Sequence, residues 1–463
     1  MKNLNPIMIS GKEVLPLIEG GKGINGSDGR SSGAWAAENC VGTFSGVCPD
    51  SYDEKGNFIR EAFYKVTRQD RQAELIEQAI KGGVSQAQVA HEVSNGQGRI
   101  HMNILWESGG SEQVLLGVLE KAKGLIHGIT SGAGLPYKLG EITSRFGVYY
   151  YPIVSSARAF QILWKRAYSN FKDFLGGIVY EDPWLAGGHN GLSNAENPLQ
   201  PETPYMRLVA LRKSMNELGL TETPIILAGG IWSLNDWEDY IDNPEIGNIA
   251  FQFGTRPMVT TESPISEAWK KVMLNIKKGD VILQKFSPTG FFSSAIKNSF
   301  LERLIERKDN EVAYSLEKTE EFTHLLKVNE SKSIYIKDKD VATVNTQNTK
   351  GYTSIQFTPD NTIVFLSPEE VTSMKEDRKN CSGCLSQCQF SSWSQANGST
   401  GRLPDPRSYC IHKTLYEVGH GGSVKDHLLF AGHQVYRFAT DPLYRNGCIP
   451  SVKELIEKIK SGN

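Results

Sequence analysis

Short apolar runs recur along the first 260 residues, each closed by glycine or a small polar residue. They are "LPLIEGG" (15–21), "VGTFSG" (41–46), "IHMNILW" (100–106), "LIHGITSG" (125–132), "GVYYYPIVSS" (147–156), "GGIVYED" (176–182), "TPIILAGG" (223–230) and "NIAFQFGT" (248–255). Between most of them lie stretches of helical character, such as "RQAELIEQAI", "SEQVLLGVLEKA", "SARAFQILWKRAYSNF" and "YMRLVALRKSMNELG". Near-continuous apolar strands suit a parallel sheet covered on both faces by crossover helices. Eight such units predict an α/β chain folded as a (β/α)8 TIM barrel, with a doubly wound open sheet as the alternative.

The glycines sit at the C-terminal ends of the strands, which in a barrel share one face and carry the active site. After about residue 280 the pattern changes. "KSIYIKDKDVATVNTQNTKGYTSIQFTPDNTIVFL" has the alternation of short antiparallel strands, and "SPEEVTSMKEDR" opens like a capped helix at Ser367, Pro368 and Glu370. The reading is therefore a barrel over 1–279, an added α+β region over 280–414, and a segment 415–463 whose amphipathic "PSVKELIEKIK" returns to the barrel.

Charge narrows the class of partner. With 50 Lys plus Arg against 52 Asp plus Glu in 463 residues, no global field favours nucleic acid or an anionic membrane, so a small-molecule substrate is expected. No run of 18 apolar residues appears, and the N-terminal "MKNLNPIMISGKEVLPLI" lacks secretory features, so a cytoplasmic protein is expected. Seven cysteines, an odd number, fit a reducing compartment better than a disulfide framework.

Three constellations could carry chemistry. In "EDPWLAGGHNG", His189 follows Gly187 and Gly188 and precedes Gly191, so an imidazole that titrates near neutrality sits where the backbone can approach a ligand closely. The seventh and eighth strands end in "ILAGGIWS" and "FQFGTRP"; Gly229, Gly230, Gly254 and Thr255 there read as a phosphate cradle of the kind barrels build on those loops. Asn103 lies inside an apolar strand, where an amide must bond something, either a cofactor edge or a core partner. Ser131, Gly132, Ala133 and Gly134 end the next strand and leave a small-walled floor.

"LAGGHNG", "PIILAGGI" and "GTRPMVTTES", in that order, resemble the flavin-dependent nitronate monooxygenases, formerly 2-nitropropane dioxygenases, to which the flavin-dependent enoyl-acyl-carrier-protein reductases are related. The resemblance covers roughly residues 8–275 and resumes at "FAGHQVYRF" (430–438). It implies a barrel that binds FMN, with phosphate at Gly229, Gly230, Gly254 and Thr255, a catalytic histidine at His189 flanked by Gly187 and Gly188, and Asn103, Gly20 and Gly21 beside the flavin ring. The implied activity is oxidation of nitronates or nitroalkanes with oxygen; the alternative is an NAD(P)H-dependent reduction of an enoyl thioester or quinone. Two departures bear on that choice. "EGGKG" stands where nitronate monooxygenases often have Ala-Pro-Met, and Ala431, Gly432 and His433 stand where relatives have Ala-Gly-Gln.

Beyond the barrel, "CSGCLSQC" places Cys381, Cys384 and Cys388 at C-x2-C-x3-C spacing, with Cys410 and His412 following in "YCIHK". Three close thiols and a fourth could hold zinc or an iron–sulfur cluster, or could pack as reduced thiols. His420, His427 and His433 form a weaker candidate metal set, and a redox sensor without turnover is a third functional reading.

Overall fold

All eight apolar runs form strands, and these close into one parallel barrel in the computed structural model, which describes residues 4–462. They are β1 (Leu17–Glu19), β2 (Val41–Ser45), β3 (Arg99–Leu105), β4 (Gly128–Gly132), β5 (Tyr149–Val154), β6 (Ile178–Glu181), β7 (Ile225–Ala228) and β8 (Ile249–Phe253). Each pairs with its neighbour in chain order, and β8 returns to β1 with Phe251 opposite Leu17 and Phe253 opposite Glu19. That closure rules out the open-sheet alternative.

Alternation explains why the strands are apolar throughout. Val179, Ile226 and Ala250 fill the barrel interior, while their neighbours Ile178, Leu227 and Phe251 pack outward under the helices. Successive side chains leave a strand on opposite faces, so both sets must be apolar. The predicted helices are present: Ser111–Lys121, Pro204–Glu217 capped by Thr203, and Arg68–Ser94, the last longer than the sequence pattern indicated. "SARAFQILWKRAYSNF" breaks at Ala167 into a helix, Ala157–Arg166, and a 3-10 segment, Tyr168–Phe174. Helix Val452–Lys460, opened by a Ser451/Glu454 capping box, buries Val452, Leu455, Ile456 and Ile459 in the outer barrel core beside helix Gly29–Ala37, completing the helical ring.

Beyond the barrel, hairpin Val281–Gln284/Ser293–Ile296 pairs with a short strand, Gly188–His189. A five-stranded antiparallel sheet then forms from His324–Lys327, Ser333–Ile336, Val312–Ser315, Thr362–Leu366 and Ser354–Phe357. The Ser367/Glu370 capping box opens helix Pro368–Lys379 as the sequence indicated. One stretch differs: Val341–Thr349, expected to be extended, is helical. It buries Val344 and Gln347 three residues apart, a helical spacing hidden among β-branched residues.

Hairpin Ile7–Ile9/Lys12–Val14 plugs the other end of the barrel. Its Ser10 hydroxyl lies 2.9 Å from His101 Nε2 and 2.7 Å from the Tyr151 hydroxyl. Burial, reinforced by His127 and Arg99, lowers the His101 pKa from 6.5 to about 3. Between those values the unfolded chain binds a proton that the folded chain refuses, so stability falls as pH drops through this window. Urea unfolding at pH 7, 6 and 5 should show His101 contributing about 1 kcal/mol per pH unit. His101→Asn should flatten the slope by that amount; an unchanged slope would show that His101 does not carry the effect.

Candidate functional site

The ends of all eight strands surround one deep cavity. Its volume is about 220 Å³, against the roughly 10–15 Å³ that one buried water needs. Its wall includes Gly20, Gly21, Asn103, Gly187, Gly188, His189, Gly229, Gly230, Gly254 and Thr255, every residue singled out from the sequence for cofactor or catalysis. Gly132 and Ala133 of the small-walled floor are there too.

The loops after β7 and β8 form one side. Gly229 and Gly230 both have positive φ, +91° and +75°, which turns the chain sharply after Ala228. Among the described residues, the amides of Gly229, Gly230, Gly254 and Thr255 donate to no acceptor of the chain, and a Cβ built on Gly254 would enter empty space. Four free amides beside a cleft are what an anion such as phosphate requires. Arg256 holds the two loops together. It is fully buried, donates Nη1 to the carbonyl of Trp232, stacks over the Trp232 ring at 4.9 Å, and pairs with Asp441 at 2.7 Å. Trp232 Nε1 bonds the same Asp441 oxygen at 3.0 Å.

The loop after β6 carries His189. Asp182 Oδ1 accepts from the amides of Trp184 and Leu185, fixing the start of the turn. A Cβ on Gly187 would lie 2.6 Å from the carbonyl carbon of Ala431, so glycine is needed for the segment at 430–434 to lie against this loop. The amide of His433 donates to the Leu185 carbonyl at 3.1 Å, and that of Gly432 to the Thr255 hydroxyl at 2.8 Å. His189 pairs across the sheet with Ser293; its Nε2 lies 2.7 Å from the Ser287 hydroxyl, and its ring meets Phe430 edge-on at 5.3 Å. Burial lowers its pKa from 6.5 to about 4.

Opposite, a Cβ on Gly21 would overlap that of Asn103 at 2.1 Å, so the first loop passes directly over the amide. The Asn103 side chain takes no partner from the described chain. Several further wall residues escaped the sequence reading. Glu181 ends β6, and burial followed by the nearby Asp182 raises its pKa from 4.5 to about 8. Lys22 reaches back to Glu19 at 3.0 Å and to the Gly20 carbonyl at 2.7 Å. Thr289 and Phe430 contribute walls from beyond the barrel strands. The acidic end of "GGIVYED" was a readable signal, as was the resemblance that resumes at "FAGHQVYRF" for Phe430; the segment around Thr289 offered none. At the glycine-rich segment, Gln434 lines the cavity, while His433 turns its Nε2 to Ser294 at 3.3 Å.

Cys381, Cys384, Cys388 and Cys410 come together around a separate small void, and Cys384 also touches the large cavity. His420, His427 and His433 do not converge: His420 bonds Asp50 and the Tyr416 carbonyl, and His433 bonds Ser294.

The sequence profile of the nitronate monooxygenase family matches residues 114–358, more than half of the chain. The chain belongs to the nitronate monooxygenase family. It is a flavin-dependent oxidoreductase. Among solved structures, the enoyl reductase domain of MlnA from Bacillus amyloliquefaciens matches at a TM-score of 0.55 and 13% identity, covering 96% of this chain and 93% of that one. FabK from Thermotoga maritima matches at 0.52 and 14% identity, covering 96% and 92%. Both are similar to this family member in fold. Comparison with curated protein sequences returned no match. No helix among the described residues is long and apolar enough to cross a membrane.

Removing one partner of a buried ion pair leaves the other charge stranded, at a cost of roughly 3–5 kcal/mol. Asp441→Ala should therefore destabilise the fold by about that amount and weaken retention of the flavin, read from chemical denaturation and from flavin released on gel filtration. Unchanged stability would remove Arg256 as the clamp between the two loops.

Proposed function

We propose that the chain binds FMN in this cavity and oxidises alkyl nitronates with oxygen as electron acceptor. The residues suit that cofactor: four amides without protein acceptors for the phosphate, and a glycine loop and an unpartnered amide, Asn103, for a planar ring. When bound, FMN would take electrons from the substrate carbanion and return them to oxygen.

The observation that carries the reading is the placement of His189 in the cavity wall, its Nε2 2.7 Å from the Ser287 hydroxyl. Desolvation at the cavity wall lowers the pKa of this half-buried imidazole to about 4, so it is neutral at physiological pH and a weak base. It suits a substrate that arrives already ionised, such as a nitronate, better than a neutral nitroalkane whose proton must be removed. Ser287, itself 2.9 Å from Thr289, holds the ring in place, and a neutral N–H of His189 then donates to a nitronate oxygen. Burial raises the Glu181 pKa to about 8, which favours its neutral form at neutral pH and removes one like charge from the wall an anionic substrate would face.

The second reading, NAD(P)H-dependent reduction of an enoyl thioester, draws on a different part of the wall. Ile265, Ile411, Leu415, Val418, Leu429 and Phe430 make an apolar face suited to an acyl chain.

Anaerobic absorbance separates the two: bleaching of the flavin by ethyl nitronate and not by NADPH or NADH is expected, and rapid bleaching by a nicotinamide would assign the reductase. His189→Ala should slow flavin reduction by nitronate about 10²-fold, the usual cost of one lost transition-state donor, with flavin content unchanged. Nitronate turnover should fall as pH rises through about 8, where Glu181 ionises, and Glu181→Gln should abolish that limb. A limb that survives the substitution belongs to another group.

A further inference from the structure

Five of the seven cysteines, Cys48, Cys381, Cys384, Cys388 and Cys410, gather in one apolar layer beside the cavity, and all are free. Four of them, the C-x2-C-x3-C run and Cys410, surround one small void. Among the described residues, no three of those four bring their sulfur atoms within 4.8 Å of one another. A single zinc, bonded to each thiolate at about 2.3 Å, would draw the sulfurs to within about 4 Å. A four-iron cluster binds each thiolate through a different iron and so spaces them more widely.

The surroundings suit a negatively charged group. Arg71 Nε donates to the Cys381 carbonyl at 3.0 Å, Arg68 Nη1 to the Ser391 carbonyl at 2.9 Å, and Arg378 Nε to the Phe390 carbonyl at 2.8 Å, which brings three guanidinium charges to the rim of the cysteine loop. The Cys381 sulfur lies 3.4 Å from the Ser391 hydroxyl, in the same loop. Cys410 is also the N-cap of helix Ile411–Gly419.

We propose that Cys381, Cys384, Cys388 and Cys410 ligate a four-iron, four-sulfide cluster. Because Cys384 lines both the void and the large cavity, the cluster shares a wall with the flavin site. The assignment does not depend on which substrate the flavin oxidises. The competing occupant is zinc at the adjoining Cys48, Glu61 and His412, whose ligand atoms do lie mutually within 4.8 Å.

The test is to purify the full chain without oxygen, reconstitute it with ferrous iron and sulfide, and measure iron, acid-labile sulfide, zinc and flavin in the same sample. About four iron and four sulfide per chain are expected, with a broad visible band that dithionite bleaches and an electron paramagnetic resonance signal on reduction. Cys388→Ser and, independently, Cys381→Ser should lose most of that iron and sulfide while keeping flavin and far-UV dichroism. Cys448→Ser, at an exposed cysteine away from the void, should keep all of them. Sub-stoichiometric iron in the wild-type chain after reconstitution would overturn the proposal, as would one zinc per chain that disappears in His412→Ala.

Discussion

The buried pair of Arg256 and Asp441 is the constraint on which the geometry of the cavity depends. Arg256 leaves the end of β8, reaches the backbone of the β7 loop at Trp232, and is neutralised by a carboxylate that comes from near the C-terminus. Three pieces of chain far apart in sequence are thus held at one point. The free amides of Gly229, Gly230, Gly254 and Thr255 keep their spacing because the residues next to them cannot move independently. A pair this deeply buried is costly to desolvate, and its value lies in specifying one arrangement of the loops.

The same burial that makes the pair strict sets the chemistry of the cavity. His189 and Glu181 both line it, and desolvation pushes each toward its neutral form, in opposite directions on the pH scale. At neutral pH these two groups therefore stand as uncharged hydrogen-bonding groups in the cavity wall. The C-terminal regions take part directly. Ser287 holds the His189 ring, Phe430 packs on its edge, and the segment at 430–434 closes over Gly187.

Legibility followed the range of the interactions. Eight apolar runs and their closing glycines are local patterns, and all eight strands are legible from them, as is the capped start of helix Pro368–Lys379 at Ser367, Pro368 and Glu370. The ten residues marked for cofactor and catalysis came together for the same reason, since each sits at the end of a readable strand or in the loop that follows it. Thr289, Phe430 and Gln434 reach the cavity only through tertiary packing, and no periodicity announces that. Glu181 was visible as a residue, but its raised pKa is a property of its surroundings. Val341–Thr349 was misplaced because β-branched residues imitate a strand pattern even when two buried positions have helical spacing.

The most direct test of this account is a crystal structure of the protein purified with its flavin. The account predicts FMN in the cavity, its phosphate within hydrogen-bond distance of the amides of Gly230 and Thr255, and its ring between Asn103 and His189. A flavin whose phosphate lies away from the β7 and β8 loops, or a ring out of reach of His189, would contradict it.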